Sequence, residues 1–169
     1  MLKKLSTIIL FCLIGALAFA QPAAPAPKQL LSEKEINSFI TNYKQIMAAF
    51  DTLGNKYDHL FKDIDEKGGF ESLLKMRKIA APAEIQDVFK KNGLGNNGFE
   101  KAMVIIQGTM VILMEDDINS IEAEAGKDPK IAASIKEAKD EIKPLKDSIN
   151  SKDLALLSNK KDELFKLLK

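Results

Sequence analysis

Nine apolar residues recur at alternating steps of three and four: Ile36, Phe39, Tyr43, Ile46, Phe50, Leu53, Tyr57, Leu60 and Ile64. A period of 3.5 held over that length specifies an amphipathic helix and is incompatible with a strand, whose faces alternate at every residue. Ile40, Met47 and Phe61 widen the stripe on one side. In front of it, Ser32-Glu33-Lys34-Glu35 is a capping box, in which hydroxyl and carboxylate satisfy orphan N–H groups reciprocally. The spacing predicts a helix from about residue 33 to 66, roughly 50 Å long at 1.5 Å per residue. Gly54, inside the stripe, costs about 1 kcal/mol relative to alanine and marks either a close helix approach or a break. Gly68-Gly69 ends the helix.

The remaining segments repeat the helical period. Phe70 to Ala80 reads as a short helix, and Pro82 opens a second that closes at Asn92-Gly93. From Phe99 a helix runs to about Ala125. Between Ala102 and Met114 its only non-apolar residues are Gln107, Gly108 and Thr109, so it is expected at the centre of the fold. Asp128-Pro129 is an N-cap followed by a first-turn proline. Ile131, Ile135, Ala138, Ile142, Leu145 and Ile149 then share one face, with Pro144 opposite and predicting a kink. Ser151 is placed to cap a last helix carrying Leu154, Leu157, Leu164, Phe165 and Leu168. No segment alternates polar and apolar residues as a half-buried strand does. The expectation is an all-α chain folded as an elongated antiparallel bundle, with about four long helices and two short ones.

The N-terminus reads as an export signal. Met1-Leu2-Lys3-Lys4 is positive, Leu5 to Phe19 is apolar, and Ala18-Phe19-Ala20 places small residues at −3 and −1 before Gln21. At about 15 residues the apolar run is shorter than the roughly 20 of a spanning helix. Phe11 in front of Cys12 departs from lipoprotein processing. Residues 1–20 are therefore read as a signal peptide and 21–31, with Pro22, Pro25 and Pro27, as an extended linker. The single domain is 32–169, destined for the periplasm or the medium. Cleavage removes Lys3, Lys4 and the single cysteine, which leaves 23 basic against 24 acidic residues. A near-zero, interspersed charge excludes the basic footprint of a nucleic-acid binder. Without a thiol, the mature chain has no disulfide, thiolate metal site or cysteine nucleophile.

The chemical motifs are incomplete. Gly93-Leu94-Gly95-Asn96-Asn97-Gly98 spells a dinucleotide fingerprint, but that mechanism needs a preceding strand, and here a helix precedes it. Asp63-Ile64-Asp65-Glu66-Lys67-Gly68 begins like a calcium loop, then places Lys67 and Leu74 where oxygen ligands belong. His59, the only histidine, has Asp63 one turn away, short of the three or four ligands a closed metal site uses. Met103, Met110 and Met114 share a face and read as core filler or as soft copper(I) ligands. No serine has a histidine base, and no nucleophile elbow exists. Glu115-Asp116-Asp117 follows the buried run directly and is the one polar cluster singled out. It reads either as the helix leaving the core or as a buried acid or cation site.

The capping-box start Leu31 to Ile36, the Asn92-Gly93 to Phe99 loop and the tail from Asn150 to Leu168 together resemble small, exported, all-helical proteins of Gram-negative bacteria. The resemblance implies a periplasmic setting and a helical fold, and carries over no site residue, catalytic role or cofactor. The functional expectation is a non-enzymatic exported module binding a protein partner or a small apolar ligand, with no cofactor, no metal and no membrane span in the mature chain. A chaperone-like envelope-stress protein is the alternative. A carboxylate-based metal binder or enzyme centred on Glu115, Asp116 and Asp117 is the third reading.

Overall fold

The structure is a computed structural model that describes residues 26–60, 69–124 and 128–168. The signal peptide, Gln21 to Pro25 of the linker, and the calcium-loop resemblance at 63–68 lie outside the described residues. Seven α-helices and no strand occur among the described residues: α1 Glu33–Tyr57, α2 Gly69–Arg77, α3 Ala83–Phe89, α4 Gly98–Glu124, α5 Pro129–Asp147, α6 Ser151–Ser158 and α7 Lys161–Leu168. Three are long and four short, which corrects the expected four and two. The difference arises at the C-terminus, where the single last helix is two. Lys160 N–H bonds Leu157 O at 3.0 Å in a tight turn, and the Lys160 carbonyl accepts from Glu163 and Leu164 to start α7. Ser158 and Asn159 are weak helix formers whose side chains compete for the backbone. The break lets α6 pack on α4 while α7 reaches both α1 and α4.

From Ile36 to Tyr57 the predicted stripe forms the inner face of α1, which continues through Gly54. The helix ends at Tyr57 rather than near residue 66, passing into a 3-10 turn at Asp58–Leu60; Phe61 and Ile64 lie outside the described residues. Ile36, Phe39 and Ile46 are fully buried, and Tyr43, Phe50, Leu53 and Tyr57 pack half-buried against the same core. Each complete burial contributes about 1.5–3 kcal/mol. Phe50 meets Phe89 of α3 at 6.3 Å and Phe99 of α4 at 6.5 Å, while Phe89 and Phe99 stand edge to face at 5.9 Å. These three rings join three helices.

α4 packs against α2, α3, α5, α6 and α7, so it occupies the centre that its composition requires. Its three non-apolar positions are each accommodated differently. Thr109 Oγ1 donates back to Ile105 O at 2.7 Å, and Gln107 Nε2 crosses to Leu73 O of α2 at 2.6 Å. Gly108 supplies contact space: a Cβ there would lie 2.4 Å from Cδ1 of Leu157 in α6.

The folded part begins before Ser32. Leu31 is a core residue, and the extended chain ahead of α1 is fastened to α6. Asp153 accepts from Leu30 N–H at 2.9 Å and Leu31 N–H at 3.0 Å, and Asn150 Nδ2 donates to Pro27 O at 2.6 Å. Asn150, rather than Ser151, caps α6, accepting from Lys152 N–H at 2.9 Å. Asp128 caps α5 as expected through Lys130 N–H, and α5 continues through Pro144 to Asp147.

The capping box forms as predicted, and its carboxylate does a second task. Glu35 accepts from Ser32 N–H at 2.9 Å and Ser32 Oγ at 2.8 Å through one oxygen, and from Lys101 of α4 at 2.5 Å through the other. Burial alone raises the carboxyl pKa, but the Lys101 ammonium and the Ser32 donors outweigh it and hold it below the usual carboxylate value. A lowered folded pKa means that the unfolded chain binds the proton more readily. The pair therefore stabilises fully above about pH 4.5, and the contribution is lost as pH falls through the folded value. Glu35→Gln keeps the cap geometry and removes the charge. The stability gap between native protein and this variant, measured by urea unfolding, is expected to be constant near neutral pH and to narrow as pH falls below about 4.5.

Candidate functional site

The acidic triplet lies where α4 leaves the core, and its members face different neighbours. Glu115 pairs with Lys146 of α5, and Asp116 with Lys161 of α7 at 2.8 Å. Asp117 is exposed, while Ile118, next in the chain, is buried and turns inward. The Asp116 carboxylate holds the Lys161 ammonium above the ordinary lysine pKa. The three carboxylates thus fan outward, and two of them join α4 to neighbouring helices. Among the described residues no group of three or more His, Asp or Glu side chains is placed to share a metal ion.

The glycine-rich loop is accounted for by packing. It follows a helical segment: the chain leaves α3 through a wide turn at Lys90–Leu94 and bends at Gly93, where φ is +90°. Any Cβ on Gly93 would also meet Ser38 Oγ of α1 at 2.6 Å. Gly98 starts α4 so close to α3 that a Cβ would lie 2.4 Å from Cβ of Phe89. Asn42 Nδ2 bonds Asn92 O at 3.1 Å and Lys101 Nζ bonds Leu94 O at 3.0 Å, which pins the loop between α1 and α4. His59 is exposed beside Tyr57, its ring centre 6.4 Å away, and Asp63, its expected neighbour, lies outside the described residues.

A cleft that motif reading missed lies between α1, α3 and α4. Its wall is wholly apolar: Ile46, Met47 and Phe50 from α1, Phe89 from α3, and Met103 and Ile106 from α4. Its volume is about 100 Å³. Met47 stands at its rim with 38% of its surface exposed. The signal was present in the sequence, because Met47 broadens the stripe beyond what one helix contact covers. Met103 is half-buried against the core and belongs to this wall.

Replacing Glu115, Asp116 and Asp117 together by Gln, Asn and Asn tests the reading of the triplet as an exit from the core. The exposed Asp116–Lys161 pair and the half-buried Glu115–Lys146 pair contribute about 1 kcal/mol or less each, and neutralising adjacent like charges offsets part of that loss. Urea unfolding at neutral pH is expected to show a change below about 2 kcal/mol. A loss above about 3 kcal/mol would instead mark a buried, paired charge.

The chain matches no family model, no curated protein and no solved structure.

Proposed function

We propose that the chain is an exported, non-enzymatic interaction module, an elongated antiparallel helical bundle that docks a protein partner by taking one apolar side chain into the α1–α3–α4 cleft. The observation that carries this reading is the cleft's size together with its lining. Pockets for small molecules run from about 300 Å³ upward and place a few polar groups to orient the ligand. This one measures about 100 Å³ and presents no polar wall. That space suits a single anchor side chain, the element around which protein interfaces concentrate their binding energy. A flexible methionine at the rim adapts to the shape of what enters. The smallness of the cleft weighs against a free apolar ligand. A chaperone-like cradle needs a continuous apolar surface, whereas the large hydrophobics exposed among the described residues are Met47 and Ile121, on different helices. The near-neutral charge fits neither nucleic acid nor an anionic membrane surface, and no described helix is long and apolar enough to cross a membrane.

A photo-crosslinking amino acid at Met47 tests this in expressing cells, with the exposed Lys152 of α6 as the control position. A discrete adduct is expected from position 47 and none from 152. Ile106→Trp, which fills the cleft from α4, is expected to abolish the adduct while leaving the thermal midpoint within about 5 °C. Equal adducts from both positions, or an adduct indifferent to the filled cleft, would contradict the reading.

A further inference from the structure

Arg77, at the end of α2, is a half-buried guanidinium with most of its donors unused. Nη2 donates to Ser148 O at 3.0 Å, and among the described residues no other acceptor reaches the group. Desolvation lowers its pKa from the ordinary arginine value, and the nearby Glu100 carboxylate partly restores it through space, without an ion-pair contact. An arginine does not shed its proton in a protein, so the charge persists and its planar fork of N–H groups stays available.

Two clefts open on either side of this pair, and both include Arg77 and Glu100 in their walls. The smaller, about 200 Å³, lies under the fastened N-terminal segment and combines the apolar Leu30, Val104 and Ile149 with the polar Ser148 and Asn150. The larger, about 540 Å³, adds Ile79, Ala81 and Phe99. The other charged groups around them are Lys28, Lys78 and Asp153. Lys28 and Lys78 are exposed, while Asp153 is 1% exposed and already accepts two backbone N–H groups. The free, opposed charges inside are Arg77 and Glu100.

We infer that the Arg77–Glu100 cleft binds a free α-amino acid, with its carboxylate on the Arg77 fork and its ammonium on Glu100. A guanidinium matches a carboxylate bidentately. Glu100 disfavours a polyanion such as phosphate but adds a charge-assisted acceptor for an ammonium. No ion pair joins the two groups directly, which leaves each charge to meet its counterpart on a zwitterion. In the smaller cleft Leu30, Val104 and Ile149 give an aliphatic side chain an apolar wall, and a cavity of about 200 Å³ is below drug size but takes a metabolite of this kind. The site is separate from the apolar cleft, so either stands without the other.

The test is nitrogen–proton NMR on the purified protein, following the Arg77 Nε–H and the Glu100 amide. The probes are L-alanine, N-acetyl-L-alanine (carboxylate only), L-alaninamide (ammonium only) and inorganic phosphate. L-alanine is expected to give saturable shifts at both reporters below about 20 mM, with each single-charge probe at least about tenfold weaker. Glu100→Gln leaves the Arg77–Ser148 bond in place. It is expected to reduce L-alanine binding to the level of N-acetyl-L-alanine while leaving the latter unchanged. Arg77→Lys, which keeps the charge but not the fork, is expected to weaken both. No saturable shift with L-alanine, equal response to the acetylated probe, tighter binding of phosphate, or indifference to Glu100→Gln would each overturn the inference.

Discussion

The close approach of α6 to α4 at Gly108 is the contact on which the rest of the arrangement depends. The absence of one side chain allows Leu157 to settle directly over the α4 backbone, where it is fully buried. Leu154 and Ile149 close in around the same spot. Because α6 lies so near, Asn150 and Asp153 at its start are brought within reach of the N-terminal segment, and Leu31 is drawn into the core. Moving α6 outward by the radius of a methyl group would loosen all of these at once, since packed interiors do not absorb an added carbon freely.

Buried polar groups divide into two kinds. Asp153 and the Gln107 amide nitrogen have partners that fix one helix or segment against another, and Thr109 bonds back to Ile105 within α4. Arg77 and Glu100 face open space with capacity left over. A buried polar group with its bonds complete specifies structure, whereas a desolvated charge with unused donors is prepared for something else. The acidic triplet faces outward instead, and two of its members pair between helices.

Much of the architecture was legible in local spacing. The α1 stripe, the capping box at Ser32 and Glu35, the Asp128-Pro129 start and the central position of α4 all follow from patterns within one or two helical turns. What was not legible depends on partners distant in the chain. Nothing near Leu30 or Leu31 announces that Asp153, more than a hundred residues away, will hold their N–H groups. Asn150 and Ser151 are both acceptable caps, and only the need to reach Pro27 distinguishes them. The split at Ser158-Asn159 was hidden because Leu157 and Leu164 are seven residues apart and fit an unbroken helix equally well. Glu115 and Asp116 invited a functional reading because Lys146 and Lys161 lie on other helices. Arg77 resembles any basic residue that ends a helix until Ser148 and Glu100 surround it.

Leu157 Cδ1 of α6 lies 2.4 Å from where a Cβ at position 108 would fall, so an added methyl on α4 must displace a fully buried leucine side chain. This contact is tested by equilibrium unfolding of Gly108→Ala, Leu157→Ala and the double variant. Helix propensity alone makes Gly108→Ala stabilising by about 1 kcal/mol, while overpacking costs about 1–3 kcal/mol. Net destabilisation is expected for Gly108→Ala, a loss of about 2–5 kcal/mol for Leu157→Ala, and a double variant more stable than additivity by at least about 1 kcal/mol. Additive losses, or a Gly108→Ala variant more stable than the native protein, would contradict this contact.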